Sequence, residues 1–106
     1  MVAASLGADV TIVERNGLGG SAVLTDVVPS KTLIATADVM TRFSSASNLG
    51  VDFGDAQPVA ADLKMVNHRL LALAREQSND IRRTLERMGV KVVLGNGRLL
   101  DNHTIE

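Results

Sequence analysis

Hydrophobic and polar positions divide the chain into two short apolar runs separated by long amphipathic stretches. Asp9-Val10-Thr11-Ile12-Val13-Glu14 is β-rich and bounded by turn signals, the pattern of a buried strand in a parallel sheet. Val90-Lys91-Val92-Val93-Leu94 repeats that pattern and predicts a second strand. Ahead of the first, Met1 to Leu6 reads as the last turns of a helix leading into Gly7, a residue suited to a left-handed C-terminal cap.

Helical spacing dominates between the two runs. Leu33, Ala37, Met40 and Phe43 predict a helix from about Ser30 to Ser45 with one apolar face. Pro29 disfavours helical geometry at Val28, so a short helix within Ser21 to Val28 and then a break are expected before it. Ser44 to Gly50 and Asp52 to Pro58 read as connections around an extended piece at Val51-Asp52-Phe53. Asp62 is placed to cap the longest helix, whose stripe of Leu63, Val66, Leu70, Leu73, Gln77, Ile81, Leu85 and Met88 ends at Gly89. Such a stripe also suits a coiled-coil seam, although one face packed on its own domain is the commoner arrangement. Gly95-Asn96-Gly97 then reads as a tight turn, and Arg98 to Glu106 as a hairpin or edge pair.

Strand, helices and strand in that order indicate an α/β fold with a long helical excursion between two strands of one sheet. A buried parallel strand needs neighbours on both sides, so with two strands the sheet is expected to be incomplete. The 106 residues, 45% of them hydrophobic, suit one domain, 1–106, able to form a compact core.

Composition narrows the chemistry. A net charge of −1 gives no basic excess to neutralise a nucleic acid backbone or an anionic membrane, and Phe43 and Phe53 are the only aromatics available for base stacking. The absence of cysteine excludes a disulfide framework, a thiolate zinc site and a dithiol redox cycle within this chain. His68 and His103 lack acidic partners at ligand spacing, so no metal is expected, and no serine sits in a G-x-S-x-G setting. The first residues lack a signal-peptide pattern and no apolar run reaches a membrane span; the expectation is a cytoplasmic protein without membrane insertion.

Glu14 ends the first strand. In a dinucleotide-binding βαβ unit an acidic residue at that point accepts hydrogen bonds from ribose hydroxyls, and the Gly-rich phosphate turn lies ~20 residues earlier. Counting back places that turn before Met1, so the first strand and the Gly-rich loop are expected to be missing. Taken alone, Glu14 reads better as a solvated charge at a strand end.

The next segment changes that balance. Gly19-Gly20-Ser21-Ala22-Val23-Leu24-Thr25-Asp26-Val27-Val28-Pro29-Ser30-Lys31 resembles the active-site segment of the flavoprotein disulfide reductases, G-G-T-C-four residues-C-[IV]-P-S-K. Ala22 and Val27 occupy its two cysteine positions. The closest likeness is to a cysteine-poor, lipoamide dehydrogenase-like branch of NAD(P)H:quinone reductases. That branch shares A-V-L-x-D-x-V-P-S-K-T, here Ala22 to Thr32, and A-x-x-Q-S-x-D-I, here Ala74 to Ile81.

The resemblance implies a truncated, partial Rossmann-like FAD-binding domain of a larger enzyme. That enzyme would take hydride from NAD(P)H onto FAD and pass electrons to a small acceptor such as a quinone, without a redox disulfide. It also implies site roles: Glu14 on the ribose, Gly19 and Gly20 allowing backbone approach to phosphate, Ser21 adding a hydroxyl, Lys31 near the flavin N5 and the Gly97 backbone against the adenine. For Gly97 a hairpin turn needing positive φ is an equally good and compatible reading. Three alternatives stand beside this: a non-catalytic α/β remnant that forms homo-oligomers through uncovered edges and apolar faces, a lipoamide dehydrogenase-like protein inactive in dithiol chemistry, and an NAD-binding fold in place of an FAD-binding one. The 106-residue chain alone is expected to be inactive and to bind FAD weakly or not at all.

Overall fold

The computed structural model describes residues 1–54 and 59–106, so the Asp55 to Pro58 part of the expected connection lies outside the described residues. The elements run α1 (Val2–Ser5), β1 (Thr11–Glu14), α2 (Gly20–Leu24), α3 (Val27–Ser45), a 3-10 turn (Ala46–Leu49), α4 (Leu63–Arg87) and β2 (Lys91–Leu94). β1 and β2 pair in parallel with Thr11 opposite Lys91 and Glu14 opposite Leu94, which gives an α/β fold with a helical excursion between its strands. Both strands are shorter than their apolar runs. Val10 and Val90 flank the ladder, and Val90 is buried in the core.

Alternation along the strands decides which residues meet. Ile12 and Val92 face inward, where with Ala4, Val10 and Ile81 they pack against the buried Leu18, Leu85 and Val90. Val13 and Val93, paired across the ladder, point to the opposite, open face.

The helix expected after Pro29 begins before it. The chain breaks at Thr25 and Asp26, and Pro29 is buried in the first turn of α3. A first-turn amide has no intrahelical acceptor, so a proline there sacrifices no hydrogen bond, and helical bonding starts beyond it with Ser30 N donating to Asp26 O at 2.8 Å. Val51 to Phe53 forms no strand; Phe53 stacks on Phe43 of α3 with ring centroids 4.8 Å apart.

α4 starts and stops at its expected signals. One Asp62 carboxylate oxygen accepts from Lys64 N at 2.9 Å and Met65 N at 3.0 Å. At the other end Gly89, with φ +78°, closes the helix as Val90 N reaches Leu85 O at 3.0 Å and the chain turns into β2. Replacing Asp62 with alanine in the whole protein is expected to cost about 1 kcal/mol of stability, measured by thermal unfolding.

The buried faces differ from the expected stripes. On α4, Leu85 is buried and Val66, Leu70, Leu73 and Ile81 are half-buried, whereas Leu63, Gln77 and Met88 are exposed; Ala74 and Ser78 are buried in their place. On α3, Leu33, Ala37 and Phe43 are exposed, and the face turned inward carries Val28, Thr32, Thr36 and Met40. Each threonine hydroxyl donates to its own helix, Thr32 to Val28 O at 2.9 Å and Thr36 to Thr32 O at 3.3 Å. With their polar groups satisfied, the threonines can be half-buried without an unpaired hydroxyl.

The compact core that composition allows is not formed by the described residues. They extend over 69 × 26 × 18 Å with a radius of gyration of 21.3 Å, against about 13 Å for a compact domain of this length. Accessible surface is 8395 Å², where a compact chain of this mass exposes about 5,700 Å². α3 and α4 pack on one another but leave their remaining apolar positions, including Leu33, Ile34, Val39 and Leu71, in solvent.

Candidate functional site

β1 delivers Glu14 to the start of the glycine-rich loop, and the carboxylate helps to turn the chain there. Its Oε1 accepts the Asn16 N–H at 2.9 Å. That bond, foremost, holds the Glu14 pKa below the ordinary carboxylate range, with smaller help from the Arg15 and Gly17 amides and the Arg15 charge. Oε2 makes no hydrogen bond among the described residues and remains free to accept from a ligand hydroxyl.

The sign of the pH dependence follows from that lowered pKa. The contribution of ionised Glu14 to stability is complete above its unfolded-state pKa and is lost as pH falls through the depressed folded value. A small stability difference between wild type and Glu14→Gln is therefore expected at neutral pH, closing only below the ordinary glutamate range. Unfolding curves across an acid series measure it, and a gap that widens on acidification would contradict the assignment.

Buried Leu18 anchors the loop to the core, and Gly19 and Gly20 carry it into α2. Gly19 has φ +97°, and a Cβ there would lie 2.4 Å from Val23 Cγ2. Gly20 has φ +58° and open space where a Cβ would stand, so its backbone is accessible to an approaching ligand. The opening amides of α2 lack intrahelical acceptors; because the helix has five residues, it offers N–H groups more than an extended dipole. Ser21 accepts Asp26 N at its carbonyl, 2.8 Å, and its exposed hydroxyl has no partner among the described residues.

Glu14, Gly20 and Ser21 line one cavity of about 400 Å³, joined by Asn16, Thr25 and Arg75. A hydroxyl-accepting carboxylate, accessible backbone and a free hydroxyl suit the ribose and phosphates of a dinucleotide. Sequence reading missed Arg75, which lies on α4, far along the chain from the loop. Asn16 did carry a signal, since Asn16-Gly17 is a turn dipeptide.

The other expected residues lie elsewhere. Lys31 is exposed on α3 and does not line this cavity. Gly97 lies beside Val13 of the open sheet face, where a Cβ would be 3.4 Å from Val13 Cβ. It does not have positive φ, which corrects the turn expected there. The chain passes Gly97 without a left-handed residue and forms an antiparallel Leu99–Ile105 bridge, flanked by Arg98 N to Glu106 O at 2.9 Å. Ala22 is exposed on α2, and Val27 is exposed at the start of α3. No group of three or more metal-ligating side chains occurs among the described residues, and no described helix is long and apolar enough to cross a membrane.

No family model matches the chain. In sequence and fold it nevertheless resembles proteins of the flavoprotein disulfide reductase family. It is 43% identical over 95 residues to an NAD(P)H dehydrogenase (quinone) of Mycobacterium tuberculosis strain H37Rv, covering 88% of this chain and 19% of that protein. It is 31% identical over 111 residues to a glutathione reductase of Nostoc sp., covering 98% of this chain and 22% of the relative. The crystal structure of LpdA from M. tuberculosis superposes with a TM-score of 0.82 at 38% identity, over 95% of this chain and 21% of that one, so the α/β arrangement is Rossmann-like. The chain thus spans about a fifth of the length of the curated relatives it matches.

Proposed function

We propose that the whole protein is an FAD-dependent oxidoreductase that moves electrons from NAD(P)H through FAD to a small acceptor such as a quinone, without a redox disulfide. The observation that carries this reading is the convergence of Glu14, Gly20 and Ser21 on one cavity, beside a segment with Ala22 and Val27 at the two cysteine positions of the flavoprotein disulfide reductase pattern it resembles. An NAD(P)H dehydrogenase (quinone) among the relatives supports the acceptor class. FAD, when bound, supplies the uptake and release of an electron pair.

In this reading Glu14 accepts from the ribose hydroxyls through its free oxygen, and the Gly20 amide and Ser21 hydroxyl donate to phosphate oxygens. The Lys31 ammonium favours negative charge on the reduced ring, and the Gly97 backbone meets the adenine. Ala22 and Val27 provide no nucleophile, so dithiol substrates are not turned over by thiolate attack. The free edge of β1 is the place for a further parallel strand bearing the Gly-rich phosphate turn. To test the reading, NAD(P)H oxidation by the whole protein is followed with a quinone and with lipoamide. Quinone-dependent turnover is expected; lipoamide-dependent turnover without quinone activity would reverse the assignment.

A second reading, self-association of this chain without catalysis, is favoured by the 8395 Å² of accessible surface and the exposed apolar residues of α3 and α4. It gives a mass above the monomer in light scattering that rises with concentration. A strictly monomeric mass over the whole series would contradict it.

A further inference from the structure

A second cavity, of about 350 Å³, lies between the loop from Arg15 to Leu18 and α4. Arg75, Ser78, Asn79 and Arg82 recur along α4 at spacings that bring them to one face, and Arg15 and Asn16 face them from the loop. The loop lies close on the helix: a Cβ at Gly17 would be 3.1 Å from Ser78 Oγ.

Three guanidinium groups therefore border one concavity that no carboxylate lines. None of the three forms an ion pair among the described residues, where the pairs are Arg83 with Asp80 and Arg98 with Glu106. This local excess of positive charge occurs in a chain whose net charge is −1. Gathered like charges repel one another, and an anion between them converts that repulsion into attraction. Every charged group here is a donor with no accepting capacity, while Asn16, Asn79 and Ser78 each add a donor of their own. Planar guanidinium forks match phosphate oxygens in pairs. The volume exceeds what one phosphate fills and falls in the range of small-molecule pockets, about 300–1,000 Å³.

We propose that this cleft binds a diphosphate-bearing small anion at a site that adjoins the cavity bounded by Glu14, shares Asn16, Leu24 and Arg75 with it, and is distinguished from it by Arg82. Arg82 is half-buried and lines this cleft without lining its neighbour, so it isolates the two sites experimentally. The proposal stands whether or not FAD occupies the neighbouring cavity.

The test is calorimetric titration of the whole protein with inorganic pyrophosphate and, separately, with adenosine diphosphate, with flavin content measured on every sample. Pyrophosphate is expected to bind with an affinity that falls as salt rises. Arg82→Gln weakens it at least tenfold, Arg82→Lys gives an intermediate value because charge is kept and the fork is lost, and flavin content is unchanged in both. Adenosine diphosphate binding ten times tighter than pyrophosphate assigns a nucleotide; equal affinities assign the diphosphate alone. Absence of binding at millimolar pyrophosphate, equal affinity in wild type and Arg82→Gln, or flavin loss in step with pyrophosphate affinity would each overturn the proposal.

Discussion

Replacing Gly19 with alanine is expected to destabilise the whole protein by about 2–5 kcal/mol. Two costs add at this position. A side chain at φ +97° is held in a region that L residues rarely adopt. The new Cβ would also lie 2.6 Å from Val23 Cβ and 3.0 Å from Ile81 Cδ1, so part of the collision is with an atom fixed to the α2 backbone. The Val23→Ala change should recover only the Cγ2 part of the steric share in the double variant, since the Cβ of residue 23 and Ile81 Cδ1 remain, and should leave the backbone share. Denaturant unfolding of the two single variants and the double variant measures both. A Gly19→Ala protein within about 0.5 kcal/mol of wild type would mean that the loop has another conformation.

Gly20→Ala, one residue on, should have the opposite signature. Here φ is +58° and no atom lies within 4 Å of the added Cβ, so stability should change by about 1 kcal/mol. If a phosphate approaches the backbone through that open space, the methyl displaces it and a charge-assisted hydrogen bond is lost, weakening FAD binding by about tenfold to a hundredfold. Flavin fluorescence titration against unfolding free energy separates the two effects. Equal FAD affinity in Gly20→Ala and wild type would remove the phosphate from this loop.

The contrast between neighbouring glycines also shows what is legible in a sequence. Gly19-Gly20-Ser21 following Glu14 could be singled out as a candidate site because those residues are close along the chain and their chemistry is local. The same holds for the Asp62 cap and the Gly89 stop, where helix ends are governed by hydrogen bonds within a few residues. A break between the two helices was legible, but its position at Thr25 and Asp26 was not, because the proline rule disfavours α geometry at the residue before it and does not mark how far upstream the first turn begins.

The buried face of α3 was hidden for another reason. Leu33, Ala37 and Phe43 satisfy helical spacing, but which side is covered depends on where α4 lies, and the covered side carries Thr32 and Thr36 with self-satisfied hydroxyls. Long-range convergence was least legible of all. Arg15 is far along the chain from Arg75 and Arg82, and only the fold sets the three around one cleft.

Whether the surface around Glu14, Gly20 and Ser21 holds a flavin is tested most directly by the cofactor itself. The whole protein is purified and its bound flavin is quantified by visible absorption and by extraction. One FAD per chain is the predicted result, with Glu14→Gln and Gly20→Ala lowering that occupancy. A colourless protein that takes up no flavin on reconstitution would contradict the account.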